Sequence, residues 1–543
     1  MSYAPILTAE QIARITPLAK ERRIRAEEVL YQPNDATPPV FVVLSGAIRI
    51  IAVIAGTEHT VTTYTAGQFS GELLMIAGRR SIYKCGAVEA GTLLELSAAN
   101  LRTLIGKDAE LSDLFMRAFL ARRLSLQEKG QGNVAVLGSS YSAGTLAIRE
   151  FLARDGHPFT YVDLDSDDAA QDFLDRFGVN ATDIPVVICN GDVVLRNPSP
   201  KQVAESLGFN SQIDEAKVRD LVVVGAGPAG LAAAVYAASE GLDVLVIEKR
   251  AAGGQAGSSS KIENYLGFPA GISGTDLAAR AIAQSEKFGA EIMVTRAVAG
   301  LDCRQRPFRV LLDDGQSISA RTIVLATGAE YNKPSVDNLE AFTGRGIYYS
   351  ATFMEQQFCA SEEVVVIGGG NSAGQAAVFL SQSAAKVHLL VRSKSLAETM
   401  SRYLIQRIEE NPRIQLHSST ELKELHGKGH LECVSWLDKT SGEISTHPIP
   451  HVFVMAGASP KTEWLAGCLA LDRKGFILTG LEVENAEAPI PWTLQRPPRM
   501  LEASIPGVFA VGDARSGNVK RVASAVGEGS IVVHLVHQAL AET

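Results

Sequence analysis

Two glycine-rich turns, each set between an apolar strand and a helix-like run, constrain this chain more than anything else in it. LVVVGAGPAG ends an apolar stretch on Gly225, Gly227 and Gly230, and VLVIEKR with Glu248 comes next. VVVIGGGNSA repeats the pattern with Gly368, Gly370, Asn371 and Ser372, has Ala373 at the third small position, and leads into VHLLVRSK. Both have the strand–turn–helix–strand context that a G-x-G-x-x-G needs before it can be read as a dinucleotide site. Glycine lets the backbone turn tightly and approach a pyrophosphate, which then meets the positive end of a helix. Two such units imply two bound nucleotides and electron transfer between them. The alternative is a pair of packing turns without ligands.

The strand that follows each turn separates the two nucleotides. Glu248 stands 23 residues after Gly225, where a carboxylate accepts bonds from ribose hydroxyls. The matching place after Gly368 is Val391, followed by Arg392, Ser393 and Lys394. A carboxylate repels a 2′-phosphate and a guanidinium grips it. The first site therefore reads as FAD or NAD. The second reads as NADP, with Arg392 and Lys394 as its basic pair.

Further motifs carry a resemblance. GGQ at Gly253–Gln255, IENY at Ile262–Tyr265, LATG at Leu325–Gly328 and VFAVGDARSGNVKR ending at Arg521 occur in order. With the two turns, they make residues from about 218 to 543 resemble the low-molecular-weight thioredoxin reductases. The resemblance implies that Gly254, Gln255, Asn264, Thr327, Gly328, Gly512, Asp513 and Arg521 join the first fingerprint around FAD. It also implies a homodimer and hydride transfer from NADPH to FAD. The motif order requires a split FAD-binding domain, 214–335 and 470–543, with an NADP-binding domain, 336–469, inserted.

Thioredoxin-reducing members of that family carry Cys-x-x-Cys shortly before the second fingerprint. Here the segment reads RGIYYSATFMEQQFCASEEVVVIGGG, and the two positions fall on Ser350 and Phe353. Neither can cycle through a disulfide. Cys359 is close by without a resolving partner and reads as a buried structural thiol. Cys85, Cys189, Cys303, Cys433 and Cys468 show no metal-like spacing and no evident pairing. His388 reads as structural, so no catalytic residue is assigned and no metal is expected.

Residues 131–213 repeat the loss. Strand and helix patterns alternate there in an order that resembles a glutaredoxin, whose Cys-Pro-Tyr-Cys falls on Ser139, Ser140, Tyr141 and Ser142. Pro185 falls where that family has a cis-proline beside its active site. The unit reads as a degenerate thioredoxin-like domain, either a docking domain or a spacer.

Residues 1–130 carry a third nucleotide signature. EEVLYQPND, FVVLSGAIRI and AGQFSGELLMIAGRRSIYK resemble a cyclic nucleotide-binding domain. The resemblance places Gly71 and Glu72 at the ribose and Arg80 with Ser81 at the cyclic phosphate of cAMP or cGMP. A shortened cassette leaves open whether Arg79 or Arg80 faces the phosphate. LSDLFMRAFLARRLSLQEK continues as a helix with apolar positions three and four apart. No helix-turn-helix pattern follows it, which argues against a transcription factor.

The fold expected is multidomain: a β-roll cyclic nucleotide-binding domain with helices, a small thioredoxin-like α/β domain, then two Rossmann-like α/β domains. A formal charge of −9 argues against a nucleic-acid partner. No apolar run reaches a membrane-spanning length, and sparse cysteines suggest a reducing cytoplasm. The function expected is an FAD-dependent NADPH oxidoreductase under cyclic nucleotide control, with an unidentified acceptor that is a small molecule or a protein docked on the thioredoxin-like unit. A flavin-covering extension such as ferredoxin–NADP reductases carry is not evident after Gly529. The rivals are a redox-silent nucleotide sensor and an ordinary thioredoxin-disulfide reductase.

Overall fold

A computed structural model describes the chain apart from residues 1–3, 34, 55–56, 77–79, 129–133, 140–141, 165–182, 190–192, 211, 260, 350, 352–355, 358, 485, 487, 489 and 543. Four α/β or β units follow one another, and each is built around its own sheet.

The N-terminal unit is a β-roll. The 15-residue strand Val40–Ile54 pairs antiparallel with Thr57–Thr65 on one side and Lys84–Leu96 on the other. Phe41 of that strand and Phe69, bridged to it at Val42, share a buried core with Phe115 and Phe119 of the helix Ala109–Glu128. The Phe69 and Phe115 ring centroids stand 4.2 Å apart, and Phe115 meets Phe119 edge-on at 5.7 Å, within the range in which aromatic pairs add to burial.

The second unit has four strands in the order Phe159–Asp163, Val134–Gly138, Val186–Cys189, Val193–Arg196. The first pair is parallel and the others antiparallel. Its helix Ala143–Arg154 is capped by Ser142, whose hydroxyl accepts the Thr145 amide at 3.4 Å. The Ile184–Pro185 bond is cis. Pro185 lies against Gly144 at the start of that helix, where an added Cβ would come within 3.1 Å of the proline ring.

The third and fourth units hold the two fingerprints. In the third, Glu291–Met293, Val244–Ile247, Val218–Val224 and Ser317–Leu325 form a parallel sheet. Val508–Ala510 returns near the C-terminus to pair with Ser317–Leu325. Leu465, Cys468 and Leu469 pack against the same core. In the fourth, Ile347–Tyr348, His451–Val454, Glu363–Ile367, Lys386–Val391 and Ile414–Ser418 are all parallel. Such sheets, covered on both faces, read as continuous apolar runs rather than alternating ones. Ala329–Tyr331 and Ala458–Pro460 pair as a two-stranded link between these units.

Cys303 and Cys468, which showed no evident pairing in the sequence, form a disulfide across 165 residues, with Cα atoms 6.4 Å apart. The strand Val298–Asp302 brings one up to the re-entering segment that carries the other. No helix of the described residues is long and apolar enough to cross a membrane.

Candidate functional sites: two dinucleotide clefts and a sensor cavity

At the first fingerprint the backbone closes on itself so tightly that side chains are excluded. Gly225 has φ +105°, and a Cβ there would come within 2.3 Å of the Ala326 oxygen. A Cβ on Gly230 would meet the Gly225 oxygen at 1.9 Å. The helix Pro228–Ser239 therefore starts directly above the strand, with its free N–H end at the turn. Glu248, 9% exposed, accepts the amide of Ala226 at 2.9 Å and that of Arg250 at 2.9 Å. Its carboxylate is thus fixed at the mouth of the turn.

The GGQ loop forms the opposite wall. Gly253 donates to the Ala226 oxygen at 2.8 Å. A Cβ on Gly254 would stand 2.8 Å from the Gly227 Cα. Gln255 donates to Ala329 O at 2.5 Å, at the start of the interdomain link. Thr327 follows the close approach at Ala326, and its hydroxyl is buried without a hydrogen-bond partner among the described residues. Gly328 is left-handed at φ +66°. Gly512 donates to Glu528 at 2.7 Å, and burial raises the carboxyl pKa of Asp513, which Lys520 partly opposes. The Asn518 amide, also buried without a partner among the described residues, was not singled out in the sequence. Asn264 and Arg521 are exposed. An orphaned hydroxyl and amide, with a glycine cradle that any Cβ would fill, fit a dinucleotide.

The second cleft repeats the turn with different chemistry at its edge. Gly368 has φ +146° and faces Met455 O, which a Cβ would approach to 2.4 Å. Asn371 accepts the Ser401 amide at 2.7 Å, and Thr399 donates to Gly369 O at 2.8 Å. Gly370 caps the helix Asn371–Leu380, whose first turn contains Ser372. The Ser401 hydroxyl is buried and unpartnered among the described residues. Arg392 and Lys394 are exposed just past the end of the strand Lys386–Val391. No carboxylate takes the place that Glu248 has in the first cleft, so this cleft suits a 2′-phosphate.

The clefts are tied together. Arg407 of the NADP-side unit pairs with Glu263 at 2.5 Å, and a parallel bridge joins Ser259 to Ala351. Ser350 and Phe353 lie outside the described residues, as do Ser140 and Tyr141. Ser139 ends up before the capped helix that Ser142 starts. Cys359 is fully buried, its thiol directed at Gln356 O. His388 is buried between His417 at 3.0 Å and Glu363 at 2.9 Å, away from either turn.

The β-roll contains a cavity lined by Tyr31, Tyr64, Gly71, Glu72, Tyr83 and Arg122 among others. Burial pushes up the hydroxyl pKa of all three tyrosines. Arg122 is the cation among the cavity's described lining residues, and sequence reasoning missed it because its helix was read only for apolar spacing. It donates to Gly71 O at 2.8 Å and Phe69 O at 2.9 Å and lies 4.8 Å from the Tyr64 ring centroid. Burial lowers its pKa, against the pull of Tyr64 and Glu72. Gly71 and Glu72 stand in the wall, but Arg80 and Ser81 are not among its described lining residues. Ser81 donates to Tyr83 O at 2.6 Å. Arg80 is exposed, with its stem against Gly208 of the second unit.

Comparison with known proteins agrees with this geometry. Residues 219–529 match the family described as pyridine nucleotide-disulphide oxidoreductase, and residues 21–108 match the cyclic nucleotide-binding domain. The chain is 30% identical over 318 residues to thioredoxin reductase of Listeria innocua, covering 58% of this chain and 92% of that one. Against thioredoxin reductase of Bacillus subtilis it is 30% identical over 332 residues, covering 61% and 97%. Among solved structures, Lactococcus lactis thioredoxin reductase in its FR conformation superposes with a TM-score of 0.53 at 26% identity, over 60% of this chain and 100% of that one. Thioredoxin reductase of T. acidophilum gives 0.52 at 29%, over 59% and 99%. The chain belongs to the pyridine nucleotide-disulphide oxidoreductase family, as a thioredoxin reductase-like member with a cyclic nucleotide-binding domain ahead of it.

Proposed function

We propose that this chain is an FAD-dependent NADPH oxidoreductase whose electrons leave for an acceptor other than an internal dithiol. The observation that carries this is the contrast between the clefts: a buried, backbone-held carboxylate at Glu248 in one, and an exposed Arg392–Lys394 pair in the other. The relatives are named thioredoxin reductases, but no Cys-x-x-Cys occurs anywhere in this sequence.

In the first cleft, Gly225, Gly227, Gly230 and Gly254 would leave room for the pyrophosphate. Glu248 would meet the ribose, with Gln255, Asn264, Thr327, Gly328, Gly512, Asp513 and Arg521 around the rest. In the second, Gly368, Gly370, Asn371 and Ser372 would hold the pyrophosphate, and Arg392 with Lys394 the 2′-phosphate. Bound FAD and NADPH supply hydride chemistry, and the protein's part is to position and tune them. Residues 214–335 with 470–543, and 336–469, are the two domains proposed.

Residues 131–213 are proposed as a thioredoxin-like domain on which the acceptor docks, and residues 1–130 as the regulatory one. The effector is cAMP or cGMP in the Glu72–Arg122 cavity. A homodimer is supported by an apolar groove between the helices Pro228–Ser239 and Gly274–Lys287, which includes Tyr265, Phe268 and Leu266, the last 93% exposed. The protein is proposed to work in the cytoplasm.

The test is to reduce the purified flavoprotein with NADPH and trap the native acceptor from lysate by its reoxidation of the flavin. An acceptor that works after every accessible thiol is blocked supports the reading. Turnover only with thioredoxin, lost on thiol blocking, overturns it.

A further inference from the structure

The helix Ala143–Arg154 of the second unit touches both dinucleotide units. At its start, Ala143 lies against Gly344 of the NADP-side unit, where a Cβ would come within 2.8 Å of the Ala143 Cβ. Leu146 packs on that unit's core. At its end, eleven residues and about 16 Å further on, Arg154 reaches the GGQ loop. It donates through Nη2 to Gly254 O at 2.7 Å and Ala251 O at 3.2 Å. Its guanidinium also borders Gly257, where a Cβ would stand 3.7 Å away. Glu150 holds it from one turn back at 3.2 Å, and the side chain is only 13% exposed.

We propose that Arg154 is a positioning residue for the flavin-side loop, by which the second unit shapes the first dinucleotide cleft. The physical reason lies in the peptide plane. A trans peptide points its N–H opposite its C=O. Drawing the Ala251 and Gly254 carbonyls toward Arg154 turns the amides of Ala252 and Gln255 the other way. Gly253 and Gly254 both have positive φ, +102° and +58°, so glycine freedom alone leaves this loop many conformations. A cation bound to two of its carbonyls selects one of them. It does so beside Gly227, which the loop approaches to van der Waals contact. A charge-assisted bond to a carbonyl is among the stronger hydrogen bonds in proteins. This role needs no redox chemistry in the second unit and gives it a use independent of Ser139 and Ser142.

The inference rests on the reading that the first cleft binds FAD, and the experiment separates the two. The full chain is prepared as wild type, Arg154→Ala and Arg154→Lys. FAD dissociation is followed by the fluorescence of released flavin, the visible flavin band is recorded, and thermal unfolding is measured alongside. Arg154→Ala is expected to raise the FAD dissociation constant about tenfold or more, the scale of one lost charged hydrogen bond, and to shift the flavin band. Arg154→Lys is expected to recover part of both, because it offers one point charge in place of a fork. If Arg154→Ala does not fold, Arg154→Gln carries the test with the same expected direction. Wild-type affinity and an unshifted band in the alanine or glutamine variant overturn the inference, even if the melting temperature falls. A wild type that takes up no FAD overturns the inference and the flavoprotein reading together.

Discussion

Arg80 lies across Gly208, so closely that a Cβ on that glycine would come within 2.5 Å of the Arg80 Cδ. The sensor's arginine is therefore packed on the second unit rather than in the cavity beside Glu72. Ala283 of the flavin-side helix Gly274–Lys287 also belongs to the β-roll's core. The N-terminal unit is thus anchored at two places on the rest of the chain.

The first prediction follows from that contact. If Arg80 pairs with a cyclic phosphate, it must leave Gly208, so binding and docking compete. Gly208→Ala should displace Arg80 and tighten cAMP or cGMP binding severalfold, at a cost of about 1–2 kcal/mol for the left-handed position, φ +65°. Arg80→Ala should abolish binding. Calorimetry on both variants decides it; equal affinity in wild type and Gly208→Ala refutes the competition.

Coupling to the redox site is measured separately. Allosteric effects are usually about 1–3 kcal/mol, or 5–150-fold, and are reciprocal for binding. NADP should shift cyclic nucleotide affinity by the same factor by which the cyclic nucleotide shifts NADP affinity. Two titrations, each with and without the other ligand, check this; because reciprocity is a thermodynamic necessity, a factor of one in both directions rules out the coupling.

Nucleotide preference should depend on Arg392. NADPH should bleach the flavin faster than NADH, and Arg392→Ala should reduce that preference by about 1.5–3 kcal/mol, the range for hydrogen bonds to charged groups. Stopped-flow absorbance gives the rates. Equal rates with NADH and NADPH in the wild type would remove the basic-edge argument.

Glu248→Ala should release FAD and destabilise the fold, because it leaves the buried amide of Ala226, and the less buried one of Arg250, without their acceptor. An unsatisfied buried donor costs about 1–3 kcal/mol. Thermal unfolding of the flavin-free protein isolates that share from the loss of cofactor. No change in the flavin-free melting temperature would show that the carboxylate serves the ligand alone.

Thiol chemistry should be confined to one residue. Cys85, Cys189 and Cys359 are buried and Cys303 is joined to Cys468, which leaves half-buried Cys433 for alkylation. Burial raises the Cys85 thiol to about 12, further slowing its reaction. Mass spectrometry of the native protein should find a single adduct, and NADPH should still bleach the alkylated flavoprotein. Loss of bleaching with Cys433 alone modified would reopen a thiol role.

The histidines of the NADP-side unit predict an acid limit. His417 is lowered to about 4, first by burial and then by His388 and His447, while His388 itself is lowered by burial against the pull of Glu363. Neutral imidazole is the folded form, so this contribution is whole above the ordinary histidine value and declines as pH falls from about 6.5 toward 4. Unfolding midpoints across that range should fall less steeply in His417→Asn than in wild type.

Both dinucleotide turns were legible in the sequence because the reasons for glycine there are local: a strand end, a tight turn and a helix start within about ten residues. Glu248 and Arg392 were legible because a βαβ unit fixes where the second strand ends. Apolar strands of the parallel sheets could be read for the same reason, since burial on both faces leaves no alternation to interpret. What the sequence could not supply were contacts between segments far apart in the chain. Arg122 looked like one more charge on a helix until the roll closed around it. Cys303 and Cys468 met only after the inserted unit had been crossed and the chain had come back. Arg154 gained its role only when the second unit settled against the GGQ loop, about a hundred residues on. Local patterns of size, charge and backbone freedom determined which segments fold into glycine turns between a strand and a helix. Tertiary packing, which buries a side chain according to whatever distant surface arrives beside it, decided which cations face a cavity, a glycine or a loop.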